Sequence, residues 1–408
     1  SFMNEGKGLY FRENPEILYE VKAQGGGLKD KETLRCKGWR QETILRMLEF
    51  NMENAEIPEL LVIYGGNGKC ARNWESYWAI VDSLKNLEDD ETLVVQSGMP
   101  VAIFKTHKEA PVVVMATTNI MQATWERFYD LQDKNLTIFA QYTAAPWEYI
   151  GTQGVIEGTF ETLSAIAMKK FNDDLSGKIY LTAGAGGMGA NQTWAMKMHG
   201  GVCIVVDVNE KTMKKRIEKD YLDIIASSLE EAIRIAKENS KAKKPISIGV
   251  VGNAADMYEK ILASDFRPDI CSEMCPCHDP ISYIPSGYTA EEADKLRIEN
   301  REKYLHLARE TMKRQLAAMV ALKTDGVEVF EYGTSIRKEC MDAGFPREEA
   351  MKIKGFVAEY IRPLFCEGRG PFRWTCLSRD PEDLKVSEDI ALEICKGDKL
   401  VERWINLA

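Results

Sequence analysis

The stretch from Lys178 to Asp207 constrains this chain more than any other, because it combines a strand, a glycine turn, a helix and a second strand ending in an acid. Lys178-Ile179-Tyr180-Leu181-Thr182-Ala183 reads as a buried strand, and Val202-Cys203-Ile204-Val205-Val206-Asp207 as the next. Between them lies Gly184-Ala185-Gly186-Gly187-Met188-Gly189, spaced as a dinucleotide-binding turn that opens a helix. Gly184 is expected to make the tight turn, Gly186 to let the backbone approach a pyrophosphate, and Gly189 to bring the helix close to the sheet. Asp207 falls where a carboxylate binds ribose hydroxyls, and with no arginine beside it in the sequence it favours NAD over the phosphorylated cofactor. The plainer alternative is an ordinary glycine-rich turn, which would not require the acid at the end of the following strand.

A chain of 408 residues exceeds one typical core, so two or three domains are expected. The net charge of −10 argues against a nucleic-acid surface. No apolar run is long enough to span a membrane and no signal-peptide core is present, so no membrane partner and a cytoplasmic location are predicted. The 10 cysteines are scattered, as expected of free thiols in a reducing compartment. Cys271, Cys275, Cys277 and His278 crowd together, but their spacing matches no common paired metal motif. They are read as a loop beside a pocket, with no metal.

The order of patterns predicts an α/β protein. Residues up to about 58 read as polar helix with Ile44, Leu45, Met47 and Leu48 as the buried stripe. Leu60 to Tyr64, Thr92 to Val95 and Pro111 to Ala116 alternate with helical segments, suggesting a parallel sheet and hence a second Rossmann-like body. Ser228-Leu229-Glu230-Glu231 reads as a capping box, Pro245 to Val251 as a buried strand, and Thr289 to about Lys323 as one long amphipathic helix. Loops after Tyr64, Gln96, Ala183, Val251 and Ile270 are expected to face a shared cleft.

Several loops together go beyond a generic fold. Tyr64-Gly65-Gly66-Asn67-Gly68-Lys69-Cys70-Ala71-Arg72-Asn73-Trp74, Gln96-Ser97-Gly98-Met99-Pro100, Tyr149-Ile150-Gly151-Thr152-Gln153-Gly154, Gly252-Asn253-Ala254-Ala255 and Tyr360-Ile361-Arg362-Pro363-Leu364-Phe365-Cys366 occur in order with the glycine turn. In these motifs the chain closely resembles urocanate hydratase (urocanase). The resemblance implies a homodimer whose NAD-binding Rossmann-like domain, here 156–330, is inserted into a split core domain, 1–155 and 331–408. Relative to the family pattern, the sequence is expected to be truncated, lacking a further C-terminal segment. It also implies a hydratase that adds water to a small imidazole acrylate, using bound NAD+ as an electrophile without net redox.

Residue roles follow from the same resemblance. Tyr64, Cys366, His278, Arg337 and Arg362 are the implied catalytic set, with Tyr64 a proton-transfer group and Cys366 at the nicotinamide. Arg362, Arg369 and Arg373 are candidates to hold a carboxylate. The implied cofactor set is Gly65, Gly66, Gln153, Gly184, Gly186, Gly187, Met188, Gly189, Asp207 and Asn253. Four segments depart from the family pattern. Glu273-Met274-Cys275-Pro276-Cys277-His278-Asp279 replaces Asp-Gln-Thr-Ser-x-His-Asp/Asn, and Thr334-Ser335-Ile336-Arg337 replaces Asn-Asn-Ile-Arg. Met99 stands where a lysine is expected, and Thr143-Ala144-Ala145-Pro146 precedes Trp147. Losing hydrogen-bonding groups alters specificity. The alternatives are therefore a paralogue acting on a thio- or methylthio-urocanate, with Met274 and Cys275 as a soft wall, or an NAD-binding protein without hydratase activity.

Overall fold

The computed structural model describes residues 34–64, 67–368, 370, 372–378 and 380–408. The chain divides into two compact units, one made of residues up to Gly151 with Arg373–Ile394, the other of Thr152–Phe372 with Cys395–Ala408.

In the first unit the helix Trp39–Glu53 buries Leu45 and Leu48, while Ile44 and Met47 are only half-buried. Strands β1 (Val62–Tyr64) and β2 (Gly68–Lys69) pair antiparallel. Strands β3 (Glu91–Gln96), β4 (Met99–Lys105) and β5 (Val113–Ala116) form a three-stranded sheet in the order β4-β3-β5. Here β3 runs antiparallel to β4 and parallel to β5. Among the described residues the predicted second Rossmann-like body is therefore not formed. The two-residue turn Ser97-Gly98, with φ of 47° and 74°, folds the chain back as a hairpin where a crossover was expected.

The second unit carries the parallel sheet. Its strands are β6 (Ile179–Ala183), β7 (Val202–Asp207), β8 (Ile224–Ala226), β9 (Ile246–Val251), β10 (Ile270–Cys271), β11 (Glu328–Glu331) and β12 (Lys354–Gly355). They lie in the order β12-β11-β10-β6-β7-β9-β8, with every neighbouring pair parallel. Leaving aside the outer β8, this is the doubly wound dinucleotide-binding order, with its switch point between β6 and β10. All five residues of β6 and the first five of β7 are buried, as expected of strands covered on both faces. The expected domain boundary at 330/331 falls inside β11, because Ile270 registers with Glu328 and Phe330 with Lys354 across the same sheet.

Two helix predictions are modified. Thr289 to Thr324 forms two helices, Ala290–Glu299 and Arg301–Thr324, because Asn300 leaves helical geometry and its side chain caps the second by accepting from the Lys303 amide at 3.0 Å. Ser228 accepts from the Glu231 amide, but the Glu231 carboxylate bonds Ser227, so only half of that capping box forms. The full box is made by Thr289 and Glu292.

The helix Arg301–Thr324 packs Tyr304, Met312, Leu316 and Met319 into the main core, all with no exposed surface. Ile298, by contrast, is 86% exposed. Truncating Leu316→Ala should therefore cost about 2–5 kcal/mol in chemical denaturation. Ile298→Ala should stay within about 0.5 kcal/mol. Equal effects would contradict the assigned packing face.

Candidate dinucleotide-binding site

The carboxyl edge of the parallel sheet is built around contacts that exclude side chains. Gly184 has φ of 86°, and a Cβ there would stand 2.5 Å from the Met274 carbonyl oxygen. A Cβ at Gly189 would stand 1.8 Å from the Gly184 carbonyl oxygen and 3.3 Å from Met274 Cβ. The Met274 amide in turn donates to the Ala183 carbonyl at 2.7 Å. The loop after β10 is thus laid directly against the turn after β6, at the switch point.

Gly186 and Gly187 face the other way. Both are exposed, and a Cβ on either would meet nothing within 4 Å. Among the described residues, the amides of Gly186, Gly187, Met188 and Gly189 have no hydrogen-bond acceptor. They stand at the N-terminus of the helix Ala190–Met198, where unpaired N–H groups and the helix dipole favour an anion. Open backbone, free donors and the dipole together fit a dinucleotide pyrophosphate.

Asp207 ends β7 beside this turn. Its Oδ2 accepts from the Ala185 amide at 2.6 Å and its Oδ1 from the Asn209 amide at 2.8 Å. Burial pushes this carboxyl above its ordinary range, opposed by those two amides and the Arg216 charge. Each oxygen keeps a lone pair for a ribose hydroxyl. The expectation of no arginine beside Asp207 is corrected here: the helix Glu210–Glu218 brings Arg216 back, with its Nε donating to the Ala185 carbonyl at 2.8 Å. Asn253, after β9, is a helix cap that accepts from the Ala255 amide and donates to the Ile284 carbonyl, both at 3.0 Å. Gln153 opens the helix Gln153–Lys170 and is half-buried.

The loop after β10 holds a buried acid that sequence reasoning passed over. Glu273 is completely buried. One carboxyl oxygen accepts from Thr334 Oγ1 in the loop after β11, and the other from the Cys275 amide at 2.8 Å. Glu331 nearby is held by Arg337 Nε at 2.5 Å, and Arg337 also donates to the Ile353 carbonyl at 3.0 Å. Arg337 is therefore engaged in tying β11 to the following chain. Cys275 is buried in the main core, its sulfur accepting from Gln315 Nε2 at 3.6 Å, so of the expected soft wall only the half-buried Met274 adjoins the turn. Among the described residues no cluster of side chains could hold a metal. His278, Arg362 and Cys366 are all exposed, the last two on the short helix Arg362–Cys366.

In the first unit Tyr64 is 8% exposed at the end of β1. Its hydroxyl donates to the Gln141 carbonyl at 3.1 Å and accepts from the Thr143 amide at 3.0 Å. Burial raises its pKa, so the phenol carries its proton at neutral pH. Arg373 is exposed in this unit, while Gly65, Gly66 and Arg369 lie outside the described residues.

Desolvation, reinforced by the Glu331 charge, pushes Glu273 up to about 8. In the unfolded chain a glutamate titrates near about 4.3. The folded protein therefore keeps a proton that the unfolded chain releases, and stability present at low pH is lost as pH rises towards 8. Glu273→Gln should flatten the fall of the urea midpoint between about pH 5 and 8. A parallel fall in both proteins would show that Glu273 is ionised in the fold.

Three family profiles match the sequence in order: the urocanase N-terminal domain over residues 28–148, the urocanase Rossmann-like domain over 151–360 and the urocanase C-terminal domain over 363–408. Among solved structures, an L-tryptophan dehydrogenase from Nostoc punctiforme aligns at 12% identity over 72% of this chain and 68% of that one. Its TM-score is 0.24. The ordered profile matches, together with the doubly wound sheet and its glycine turn, establish that the chain belongs to the urocanase family.

Proposed function

We propose that this chain is an NAD-dependent hydro-lyase that adds water to urocanate or a closely related imidazole acrylate. The observation that carries the reading is the row of four acceptor-free amides, Gly186 to Gly189, in a urocanase-family Rossmann-like domain. These amides would hold the pyrophosphate, and Asp207 the ribose diol. The Asp207 carboxylate disfavours a 2′-phosphate. When bound, oxidised NAD would supply a fixed positive, electron-accepting ring.

The chain's own groups would then bind and protonate the substrate. Tyr64 keeps its proton and exchanges it through the hydroxyl held by Gln141 and Thr143, which suits a general acid positioned on a rigid strand end. Cys366 presents an exposed thiol, and Arg362 on the same short helix, exposed and without an ion pair among the described residues, would offer its charge to an anion. Arg337, fixed by Glu331, serves as a positioning residue for the loop that carries Thr334. His278 is retained as a proton carrier only through the family resemblance. The working protein is proposed to be a homodimer. Among the described residues no helix is long and apolar enough to cross a membrane.

A specific observation favours the modified-substrate variant of this reading: Met99 is 41% exposed where the family has a lysine. A panel of urocanate and its thio- and methylthio-analogues should show depletion of at least one member. With NAD present, turnover should give no lasting rise in reduced-nicotinamide absorbance, and solvent deuterium should enter the product side chain. Stoichiometric NADH release would replace the hydratase with a dehydrogenase. Cofactor binding with no depletion of any member would leave an NAD-binding protein.

A further inference from the structure

The Glu273 carboxyl is buried between the loops that follow β10 and β11, and it makes no ion pair among the described residues. Its Oε1 is hydrogen-bonded to Thr334 Oγ1, and its Oε2 accepts from the Cys275 amide at 2.8 Å, with Cys277 Sγ at 3.9 Å. Glu331 brings a second carboxylate to bear on it, and the cation there, Arg337, is engaged by Glu331 at 2.5 Å. The other titratable groups facing Glu273 are the thiols of Cys271, Cys275, Cys277 and Cys340 and the phenols of Tyr258 and Tyr283. Burial raises all six, so they stay neutral through pH 9. An ionised Glu273 would be a buried charge beside a like charge, with no cation to offset it, so these surroundings hold the protonated acid. The Thr334 hydroxyl can accept from that acid as well as donate to its anion. In agreement, the carboxyl is pushed up to about 8.

The next residue makes the contact on which the glycine turn rests. The Met274 amide donates to the Ala183 carbonyl at 2.7 Å, and the Met274 carbonyl oxygen stands 2.5 Å from where a Gly184 Cβ would be. On the other side, the Ser272 carbonyl accepts from the Tyr258 hydroxyl at 2.6 Å, and the Ser272 hydroxyl is bonded to Tyr180. Glu273 thus sits in the floor of the turn whose open side presents the amides of Gly186 to Gly189. Its ionisation would set a negative charge close to a site suited to a pyrophosphate, and would draw water into the loop supporting that site. Both effects weaken anion binding.

We infer that Glu273 is a positioning residue for the cofactor: as the neutral acid it latches the loop after β10 to the loop after β11 under the glycine turn, and dinucleotide binding takes up a proton at its carboxyl. This rests on the proposed function, which puts NAD at that turn. The proton comes from solvent and ends on the oxygen facing Thr334, so the carboxylate becomes the acid and nothing else changes covalently. Cofactor affinity is therefore full while the acid is protonated and is lost as pH rises through its folded value. Asp207 couples with the opposite sign, because a diol donates to its carboxylate, so any proton exchanged there is released. His278, exposed on the same loop, has a lowered pKa and is neutral above about pH 7.

The test is calorimetric titration of the full chain with NAD, in pairs of buffers with unlike ionisation enthalpies, with circular dichroism confirming the fold at each pH. Wild-type affinity should fall roughly five-fold between about pH 7 and 9, and binding near pH 8.5 should take up about half a proton. Glu273→Gln, a permanently neutral isostere that keeps both hydrogen bonds, should bind with an affinity level in pH and take up no proton. Thr334→Val, which removes the hydroxyl, should weaken NAD roughly three-fold or more near pH 7. The wild-type proton count needs no variant, so it carries the test if either variant fails to fold. Wild-type affinity level in pH, net proton release, or the same fall in Glu273→Gln would overturn the inference while leaving the cofactor reading standing. If no NAD binds at any pH, both fall together.

Discussion

Three backbones meet around Gly184, and the site follows from how closely they do so. The carbonyl of Gly184 stands where a side chain on Gly189 would be, and the Met274 carbonyl where one on Gly184 would be. Any Cβ at these two positions would push the helix Ala190–Met198 off β6 or the loop off β10. With both absent, the helix N-terminus comes down at the sheet edge, its first amides unpaired and open on the side of Gly186 and Gly187. The remaining polar groups are placed by the same edge: Asp207 accepts from the turn, Tyr180 links Gln192 to Ser272, and Glu273 reaches the loop after β11. Each of these buried groups is paired, so the unpaired amides stand out as the donors kept for a ligand.

The parallel half of the fold was legible because its signal was long and redundant. Consecutive apolar strands, a glycine turn and an acid at the following strand end agree on one topology, and the sheet order follows from right-handed crossovers. The first unit was misread because its apolar runs are short, and periodicity cannot separate a parallel from an antiparallel partner for such runs. Ser97-Gly98 was the available sign, a two-residue turn between Gln96 and Met99, yet its second strand leaves Met99, Val101 and Ile103 exposed and so carries no inward-facing pattern. Likewise Asn300, a preferred cap residue inside a charged stretch, marked the break between two helices that charge patterning had merged.

The site was legible in its backbone and much less so in its side chains. Glycine spacing records where chains touch, so Gly184, Gly186 and Gly189 could be read for their individual roles. Arg216 illustrates the limit, since it lies nine positions beyond Asp207 and returns to it only because a helix intervenes. Cys275 illustrates it differently: a cysteine in a loop looked like pocket lining, but the loop turns its sulfur under the helix Arg301–Thr324 towards Gln315. Glu273 and Thr334 are paired across 61 positions, a separation over which a single sequence carries no pairing signal.

The unpaired amides of residues 186 to 189 are proposed to be the cofactor's phosphate site. Amide hydrogen exchange followed by mass spectrometry, with and without saturating NAD, addresses this directly. The amides of Gly186 to Gly189 should exchange rapidly in the free protein, as exposed donors do, and become protected when NAD is added. Binding of NAD that leaves the 184–191 segment unprotected, or no binding at all, would contradict the account and return the glycine turn to a purely structural role.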